Sequence, residues 1–300
     1  MSGDILSQDP AELRNRMDSG RAHPARVYDV FLGGKDHYPA DRAAAAAGLA
    51  ANPRGYLDVR HNRDFLRRAV TTLTEVDGIR QFLDIGTGLP TAENVHQIAQ
   101  RTAPEARVVY VDNDPVVLAH ARALLTSGPE GRTEYIDADL KSPAQILEQA
   151  ARTLDFSRPI ALCLVAILHF VEDEQAYPIV RELMDALPAG SRLVLSHLTE
   201  DLNAENIRAV QRTYTERGFT FVLRNRGDVG RFFTETGLEL ATPGIVPVHH
   251  WRPDHAAPVP AQPEESYLAG LEDIEKVRYK DINDVTDADI NVYGGLGIKV

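Results

Sequence analysis

The chain has almost no cysteine. Cys163 is the only one among 300 residues, which excludes an intrachain disulfide and any metal site built from several cysteines. This scarcity favours a reducing compartment. Long apolar runs are also missing: no stretch approaches the ~18 consecutive apolar residues of a membrane helix, and the N-terminal MSGDILSQDP lacks the pattern of a signal peptide. We therefore expect a cytoplasmic protein with no membrane partner.

Basic residues are in the minority. The chain carries 44 acidic against 32 basic residues, for a net charge of −12, and the basic residues are not gathered in any one segment. Such a chain repels a phosphate backbone, so nucleic acid is not an expected partner. With 43% hydrophobic and 25% charged residues, the composition is that of a globular chain with room for one catalytic domain and an extension.

The N-terminal quarter of the chain is predicted to be helical. An alanine-rich segment follows Pro39-Ala40-Asp41, and apolar residues recur at helical spacing from Tyr56 to Leu73. We predict that residues 1–75 form a helical extension or cap over a catalytic domain formed by residues 76–300.

Short apolar runs alternate with helical patterns after residue 76, which is typical of β-α-β units. The run 159–167 is apolar throughout and suits a central strand buried on both faces. The prediction is an α/β fold with a Rossmann-like sheet. Its predicted parallel strands are 81–86, 107–112, 133–139, 159–167 and 191–198, and its predicted helices are 91–102, 115–127, 142–154, 176–187, 202–217 and 227–236.

The tail differs in composition. Residues 256–266 hold three prolines and suit an extended linker, and the stretch from there to Asn291 is acidic with few large apolar groups. Residues 256–290 are therefore interpreted as an acidic insertion before a last strand at 291–300. A lid, a partner contact and disorder all remain open for it.

A glycine loop ends the first predicted strand, in the sequence Asp84-Ile85-Gly86-Thr87-Gly88. Glycines at this point let the backbone turn sharply and approach a ligand. The nicotinamide fingerprint requires a third glycine three residues after Gly88, where Thr91 stands. The loop therefore indicates a cofactor site, with nicotinamide disfavoured.

A phosphate-binding Walker loop can be tested at Gly33-Gly34-Lys35. It fails because Asp29 occupies the place of the first glycine and Asp36 that of the Ser or Thr. ATP hydrolysis is therefore not indicated.

Acidic residues end the second and third strands. Asp112 can accept hydrogen bonds from both ribose hydroxyls of an adenosine group, and Asp139 from the adenine amine. In the alternative interpretation each carboxylate caps the next helix; for the second strand we assign that role to Asp114, which precedes Pro115.

Four segments together resemble the cofactor-contacting segments of class I S-adenosylmethionine (SAM)-dependent methyltransferases. They are FLDIGTG (82–88), VVYVDNDP (108–115), YIDADL (135–140) and ALCLVAILHFVED (161–173). The chain is similar, more closely still, to an actinobacterial group assigned as methyltransferases and formerly called a domain of unknown function. The resemblance covers residues 22–255 and the final YGGLGIKV, and rests on RVYDVFLGGKDHYPADR (26–42), NRDFLRRAV (62–70), LPAGSRLVLSHLT (187–199) and PGIVPVHHWRPD (243–254).

This resemblance implies a seven-stranded sheet whose last strand is antiparallel and lies between strands five and six. PGIVPVHHW would be the sixth strand and NVYGGLGIKV the seventh. SAM is the implied cofactor, and the implied contacts are Asp84, Gly86, Thr87, Gly88, Asp112, Asn113, Asp139, Leu140 and Ala166.

The resemblance also implies that the N-terminal segment folds over the cofactor. Tyr28, Gly33, Gly34, Lys35 and Asp36 then become candidates for the methionine end or the acceptor, Tyr28 as a catalytic residue. The alternative is a surface turn with a solvated Lys-Asp pair.

Two histidines are candidate bases, because an imidazole titrates near neutral pH and can take a proton from a hydroxyl or amine acceptor. His169 follows the fourth strand and His197 ends the fifth, at the sheet edge where ligands bind in open α/β folds. A purely structural role is the alternative for both. No close His/Asp/Glu cluster suggests a metal, so none is expected.

Methyl transfer from SAM to a small-molecule acceptor is the favoured function. Two alternatives remain: attack within the aminocarboxypropyl group of SAM, which releases methylthioadenosine, and SAM binding without catalysis. A homodimer also remains open.

Overall fold

Five parallel strands form the centre of the computed structural model, which describes residues 19–90, 93–124, 127–254 and 259–300. They lie in the order β3-β2-β1-β4-β5. Their bounds are β1 Gln81–Ile85, β2 Arg107–Asp112, β3 Arg132–Asp137, β4 Ala161–Val165 and β5 Arg192–Leu198. The predicted α/β class and the parallel strands one to five are confirmed.

Three further strands complete an eight-stranded sheet: β6 Glu239–Leu240, β7 Val246–Pro247 and β8 Val292–Ile298. The strand β8 runs antiparallel to β5 and lies between it and the short strands β6 and β7. The last strand is therefore antiparallel and inserted, as predicted. The predicted sixth strand is only the two residues of β7 followed by a 3-10 turn, Val248–His250, and β6 shares the sheet edge with it.

Glycines in β8 explain how helices pack so closely on this strand. A Cβ on Gly294 would lie 2.9 Å from the ring of Phe65, and a Cβ on Gly297 would lie 2.7 Å from the ring of Phe233. The aromatic rings therefore occupy the space that side chains on β8 would need.

Helices cover both faces of the sheet. Along each strand, successive side chains point to opposite faces of the sheet. Phe82 and Cys163 therefore lie in one hydrophobic core, and Leu83 and Leu162 lie in the other. The helices that connect the strands are α4 Val95–Thr102, α5 Pro115–Leu124, α6 Pro143–Ala150, α7 Asp173–Asp185, α8 Ala204–Thr215 and α9 Arg226–Thr234. No helix in the described ranges is long and apolar enough to cross a membrane.

Three helices precede the sheet: α1 Pro24–Leu32, α2 Pro39–Ala51 and α3 Gly55–Glu75. A buried charge cluster attaches α1 to the start of α5. Arg26 Nε lies 3.3 Å from Asp114 Oδ2 and 3.6 Å from Asp41 Oδ1, and Asp114 Oδ1 accepts the backbone N–H of Val116. Asp114 therefore caps α5, as predicted, and also holds the N-terminal helices beside the end of β2. Residues 1–18 of the predicted extension lie outside the described residues.

The acidic insertion packs on the N-terminal helices where it is described, from residue 259. It contains α10 Glu265–Ala269, α11 Asp273–Lys276 and two 3-10 turns, Val277–Tyr279 and Asp287–Asp289. Ile274 and Val277 are buried in the core shared with α1, α2 and α3. A few apolar residues therefore suffice to fix an otherwise polar segment.

Candidate active site

A cavity of about 420 Å³ lies at the carboxyl ends of the parallel strands. Loops after β1, β2, β3 and β4 form its floor, and α1, α3 and α8 cover it. The residues predicted for the site that line it are Tyr28, Asp84, Gly86, Thr87, Gly88, Asp112, Asn113, Asp139, Leu140, Ala166 and His169. Gly33, Gly34, Lys35 and His197 are not among its lining residues.

The glycine loop leaves bare backbone facing the cavity. Gly86 and Gly88 have φ values of 74° and 68°, in the left-handed region that favours glycine. A Cβ on Gly86 would lie 2.7 Å from the side chain of Ile167, whereas nothing lies within 4 Å of the place where a Cβ on Gly88 would be. Gly86 is thus required by close packing, and Gly88 borders open space that a ligand can fill.

Two buried carboxylates flank this loop. Thr87 Oγ1 donates to Asp84 Oδ2 over 2.9 Å, and the backbone N–H groups of Gly88 and Asp114 each donate to Asp112 over 2.9 Å. Burial outweighs these hydrogen bonds and raises the pKa of both Asp84 and Asp112 to about 6. Neither carboxylate forms an ion pair with a described residue. A ligand that brings positive charge or hydroxyl donors would therefore offset the free-energy cost of burying these carboxylates in their charged form.

Asp139 lies at the exposed rim of the same cavity. Asn113 Nδ2 donates to Asp139 Oδ2 over 3.0 Å, and the N–H of Lys141 donates to Oδ1 over 2.9 Å. Ser142 occupies the N-cap position of α6 without a side-chain cap hydrogen bond, and Asp139 lies three residues before it, so Asp139 is not the N-cap residue of this helix. Leu140 beside it is buried and adds an apolar surface.

A chain of hydrogen bonds crosses the end of β4. Ala166, at φ 55°, donates its N–H to Ser196 Oγ over 3.0 Å, and Ser196 donates to Asn62 Oδ1 over 2.6 Å. Asn62 Nδ2 donates to the hydroxyl of Tyr28 over 2.9 Å, and Tyr28 donates to the carbonyl of Val59 over 3.0 Å. Burial also raises the pKa of Tyr28. The tyrosine hydroxyl is therefore engaged as both acceptor and donor, which favours a positioning role over proton transfer.

The two predicted histidines have different surroundings. His169 is 4% exposed, lines the cavity, and has no hydrogen-bond partner for Nδ1 among the described residues. Burial, His197 and Arg224 together lower its pKa well below the ordinary value, so its imidazole is neutral at pH 7 and is a weaker base than an exposed histidine.

His197 is fully buried away from the cavity lining. Its Nδ1 donates to the carbonyl of Leu198 over 2.7 Å, and its Nε2 accepts from Arg224 over 2.6 Å. Burial and the neighbouring Arg224 lower its pKa to about 3. Both ring nitrogens of His197 are engaged in hydrogen bonds. This arrangement supports a structural role for His197 and not the role of a base.

Gly33 and Gly34 form a tight turn after α1. A Cβ on Gly33 would lie 2.6 Å from the Cβ of Arg278, and a Cβ on Gly34 would collide with the carboxylate of Asp29. Lys35 is exposed. The turn supports the packing of the acidic insertion, which corresponds to the surface-turn alternative.

Asp58 is a cavity residue that the sequence interpretation missed. It lies on α3, one helical turn before Asn62, and accepts hydrogen bonds from the N–H of Asn291 over 2.5 Å and from Nδ2 of Asn291 over 3.3 Å. Burial, with a contribution from Asp289, raises its pKa to about 7 in spite of these bonds. The i, i+4 spacing of Asp58, Asn62 and Leu66 on one helix face is the only sequence signal for it.

The raised pKa of Asp58 predicts a pH-dependent stability difference. The folded state holds the Asp58 proton more tightly than the unfolded chain, where the pKa is ~3.9. Its contribution is therefore fully present below about pH 4 and is lost as the pH rises to about 7. Relative to Asp58→Asn, the wild type should lose about 2–3 kcal/mol between pH 5 and 8 in urea unfolding experiments. A difference that stays constant with pH would contradict this.

The fold and the cavity together define a class of protein. A parallel sheet with an inserted antiparallel strand, a glycine turn after the first strand and a buried carboxylate after the second form the Rossmann-like architecture of SAM-dependent methyltransferases. The chain belongs to the S-adenosyl methyltransferase family, whose model matches residues 10–300. It is therefore a SAM-dependent methyltransferase, and SAM is its cofactor.

Solved structures agree with this assignment. A DUF574 family protein from Streptomyces avermitilis is 44% identical, with 94% of this chain and 99% of that chain covered and a TM-score of 0.83. A candidate methyltransferase from Thermobifida fusca is 35% identical, with 95% and 97% covered and a TM-score of 0.78. A search of curated proteins finds no match.

Proposed function

We propose that this enzyme transfers the methyl group of SAM to a small-molecule acceptor with an apolar, aromatic body. The observation that carries the proposal is that one continuous cavity joins the glycine loop and its carboxylates to a wall of aromatic and aliphatic side chains. Cofactor and acceptor would thus meet in a single enclosed space.

The cofactor half fits SAM in space and in charge. The open space at Gly88 admits a ligand against bare backbone, and Asp84 and Asp112 supply buried carboxylates to a ligand that carries a sulfonium and an ammonium group. We assign Asp112 to the ribose hydroxyls and Asp139 with Asn113 to the adenine edge. The loop Gly86-Thr87-Gly88, Leu140 and Ala166 would form the remaining contacts.

The acceptor half is apolar. Phe170, Tyr214 and Phe221 pack against one another with ring centroids 4.9–6.4 Å apart, and all three line the cavity. Ile207 and Val210 of α8 and Val292 of β8 extend this wall. Apolar linings with a few placed polar groups are typical of small-molecule sites. A flat aromatic acceptor suits the wall better than a nucleic acid would, because the chain is strongly acidic.

The chemistry places few demands on the protein. SAM when bound supplies a methyl group made electrophilic by its sulfonium. The protein must orient the acceptor and accept its proton, and we assign the proton to His169, the histidine candidate whose side chain lines the cavity. The network of Tyr28, Asn62, Ser196 and Ala166 would fix the loop after β4 that carries His169.

The N-terminal helices close the cavity from above. Residues 19–75 supply Tyr28, Asp58 and Asn62 to its lining, and Arg26 anchors them to Asp114. We propose that residues 1–75 act as a cap on the catalytic domain 76–300. A homodimer stays a prediction.

The test is incubation with methyl-labelled SAM and fractionated cell extract, followed by mass spectrometry. Label should enter aromatic hydroxyl or amine compounds in the small-molecule fraction. Label confined to protein or nucleic acid would contradict the proposed acceptor, and methylthioadenosine formed from SAM alone would point to the intramolecular reaction.

His169→Ala should lower methyl transfer by about 100-fold or more while SAM affinity stays near that of the wild type, because loss of a positioned base costs ~10²–10⁴ in rate. Retained binding also shows that the variant is folded. His120→Ala, at a partly exposed histidine outside the cavity, is the matched control and should leave both properties unchanged. Full activity in His169→Ala would remove it as the base.

A further inference from the structure

Two histidines and an aspartate meet outside the active-site cavity. Nε2 of His249 and Nε2 of His250 lie 3.1 Å and 2.7 Å from the same oxygen, Asp287 Oδ1. The three donor atoms all lie within 4.8 Å of one another, and none of the three residues lines the cavity. This cluster could not be predicted from local sequence, which led us to expect no metal, because Asp287 lies 37 positions after His250.

We propose that His249, His250 and Asp287 bind a divalent transition-metal ion such as Zn²⁺. Two imidazole nitrogens and one carboxylate oxygen form a ligand set that suits Zn²⁺, Co²⁺, Ni²⁺ and Cu²⁺, whereas Mg²⁺ and Ca²⁺ prefer oxygen ligands alone. With bonds of ~2.0–2.2 Å, ligand atoms around Zn²⁺ lie roughly 3.0–3.5 Å apart. The separation from Asp287 Oδ1 is 3.1 Å at His249, within this range, and 2.7 Å at His250, which would have to lengthen. Small movements of the three side chains would therefore be enough to bind the ion.

The histidine side of the site is held rigidly. The 3-10 turn Val248–His250 follows β7, and Arg68 fixes it by donating to the carbonyls of Val248 and Trp251 over 2.7 Å and 2.9 Å. The two imidazoles are stacked, with ring centroids 3.9 Å apart. The chain thus presents both Nε2 atoms in one direction before any ion arrives.

The backbone turn that carries the aspartate is also held in place. Asp287 begins the 3-10 turn Asp287–Asp289, where Thr286 and Asp289 form a capping box, and Arg54 Nε lies 3.0 Å from Asp289 Oδ1. Preorganised ligands lose less conformational entropy on binding.

His249 is the more buried of the two histidines. Its side chain is 8% exposed, and Nδ1 has no hydrogen-bond partner among the described residues. Nε2 contacts the carboxylate of Asp287 without an ion, and a bound cation would take the lone pair of Nε2 while the proton moves to Nδ1. His250 and Asp287 are about half exposed, which gives an ion an entry path and leaves coordination positions for water.

An ion here would link two distant parts of the chain. His249 and His250 belong to the sheet edge and are held by α3, whereas Asp287 belongs to the acidic insertion that packs on α1 and α2. The proposed role of the ion is structural: it would fix the acidic insertion to the sheet edge and take no part in methyl transfer.

The experiment uses full-length protein without a histidine tag, stripped with EDTA and titrated calorimetrically with ZnCl2, with MgCl2 as the comparison. We expect one equivalent of Zn²⁺ to bind, Mg²⁺ not to bind, and the melting temperature to rise by on the order of 5 °C at 100-fold excess over the Kd. His250→Ala and Asp287→Asn should each weaken Zn²⁺ binding by more than the ~10–100-fold that loss of an outer-shell partner costs. His120→Ala should bind Zn²⁺ like the wild type.

Absence of Zn²⁺ binding by the native chain would overturn the proposal, as would binding that His250→Ala and Asp287→Asn leave unchanged. Both substitutions are at half-exposed side chains, and unchanged circular dichroism without metal would show that the variants fold. SAM affinity measured on the same samples is a separate readout, so failure of the metal site and failure of the proposed methyl transfer are distinguishable.

Discussion

Replacing Asp112 with alanine should remove nearly all affinity for SAM and S-adenosylhomocysteine. The carboxylate is 6% exposed and already holds the N–H groups of Gly88 and Asp114, so it is fixed in place and keeps lone pairs for two ribose hydroxyls. Each hydrogen bond to a charged group contributes about 1.5–3 kcal/mol. Loss of both should raise the Kd by at least about 100-fold.

Calorimetric titration with both ligands measures this effect, and Asp139→Ala is the matched control. Asp139 lines the same cavity but is exposed, so water can replace the hydrogen bond that the ligand loses when the carboxylate is removed. The Kd of Asp139→Ala for either ligand should therefore rise by less than about 10-fold. Asp112→Asn keeps one acceptor oxygen, so its Kd should lie between those of Asp112→Ala and Asp139→Ala. Binding by Asp112→Ala within threefold of the wild type would contradict the assignment of this carboxylate to the ribose.

The strands β1, β2, β4 and β5 were predictable because most of their residues are buried, which requires short runs of apolar side chains. The more exposed strand β3 was predictable from its place between two helical patterns. The bounds of β2 match the prediction residue for residue, and those of the other parallel strands differ from it by at most two residues at either end. The strands β6 and β7 were not predictable at this level. Each has only two residues, too few for a periodic pattern, and each exists because β8 offers it backbone partners.

The cavity floor could also be predicted, because the carboxyl ends of parallel strands meet at one edge of the sheet. Asp58 and Asn62 could not, since they reach the cavity through the packing of α3 and belong to no local motif. The two candidate histidines likewise could not be distinguished from local sequence. His169 and His197 both stand at strand ends, yet only the side chain of His169 lines the cavity, whereas His197 packs beside Phe232 and Arg224.

Arg224, which the sequence did not single out, should prove to be a major determinant of stability. It is 1% exposed and donates to Asp173, to the carbonyls of Leu168 and Val171, and to His197. Removal of its guanidinium would leave the buried carbonyls of Leu168 and Val171 and the buried Nε2 of His197 without this donor. Arg224→Leu should therefore lower the free energy of unfolding by about 3–5 kcal/mol, because each buried acceptor left without a donor costs about 1–3 kcal/mol.

Urea unfolding measures this loss, and Arg208→Leu is the matched control, because Arg208 also forms an ion pair, with Glu200, but on the surface. Water screens and replaces exposed ion pairs, so the control should stay close to the wild type. Arg224→Lys should recover only part of the loss, since an ammonium group cannot reach four acceptors in the fixed fork of a guanidinium. Because Leu168 and Val171 flank His169, a folded Arg224→Lys enzyme should also lose turnover while SAM affinity changes little. Equal stability of the Arg224→Leu and Arg208→Leu proteins would show that burial of this arginine contributes nothing.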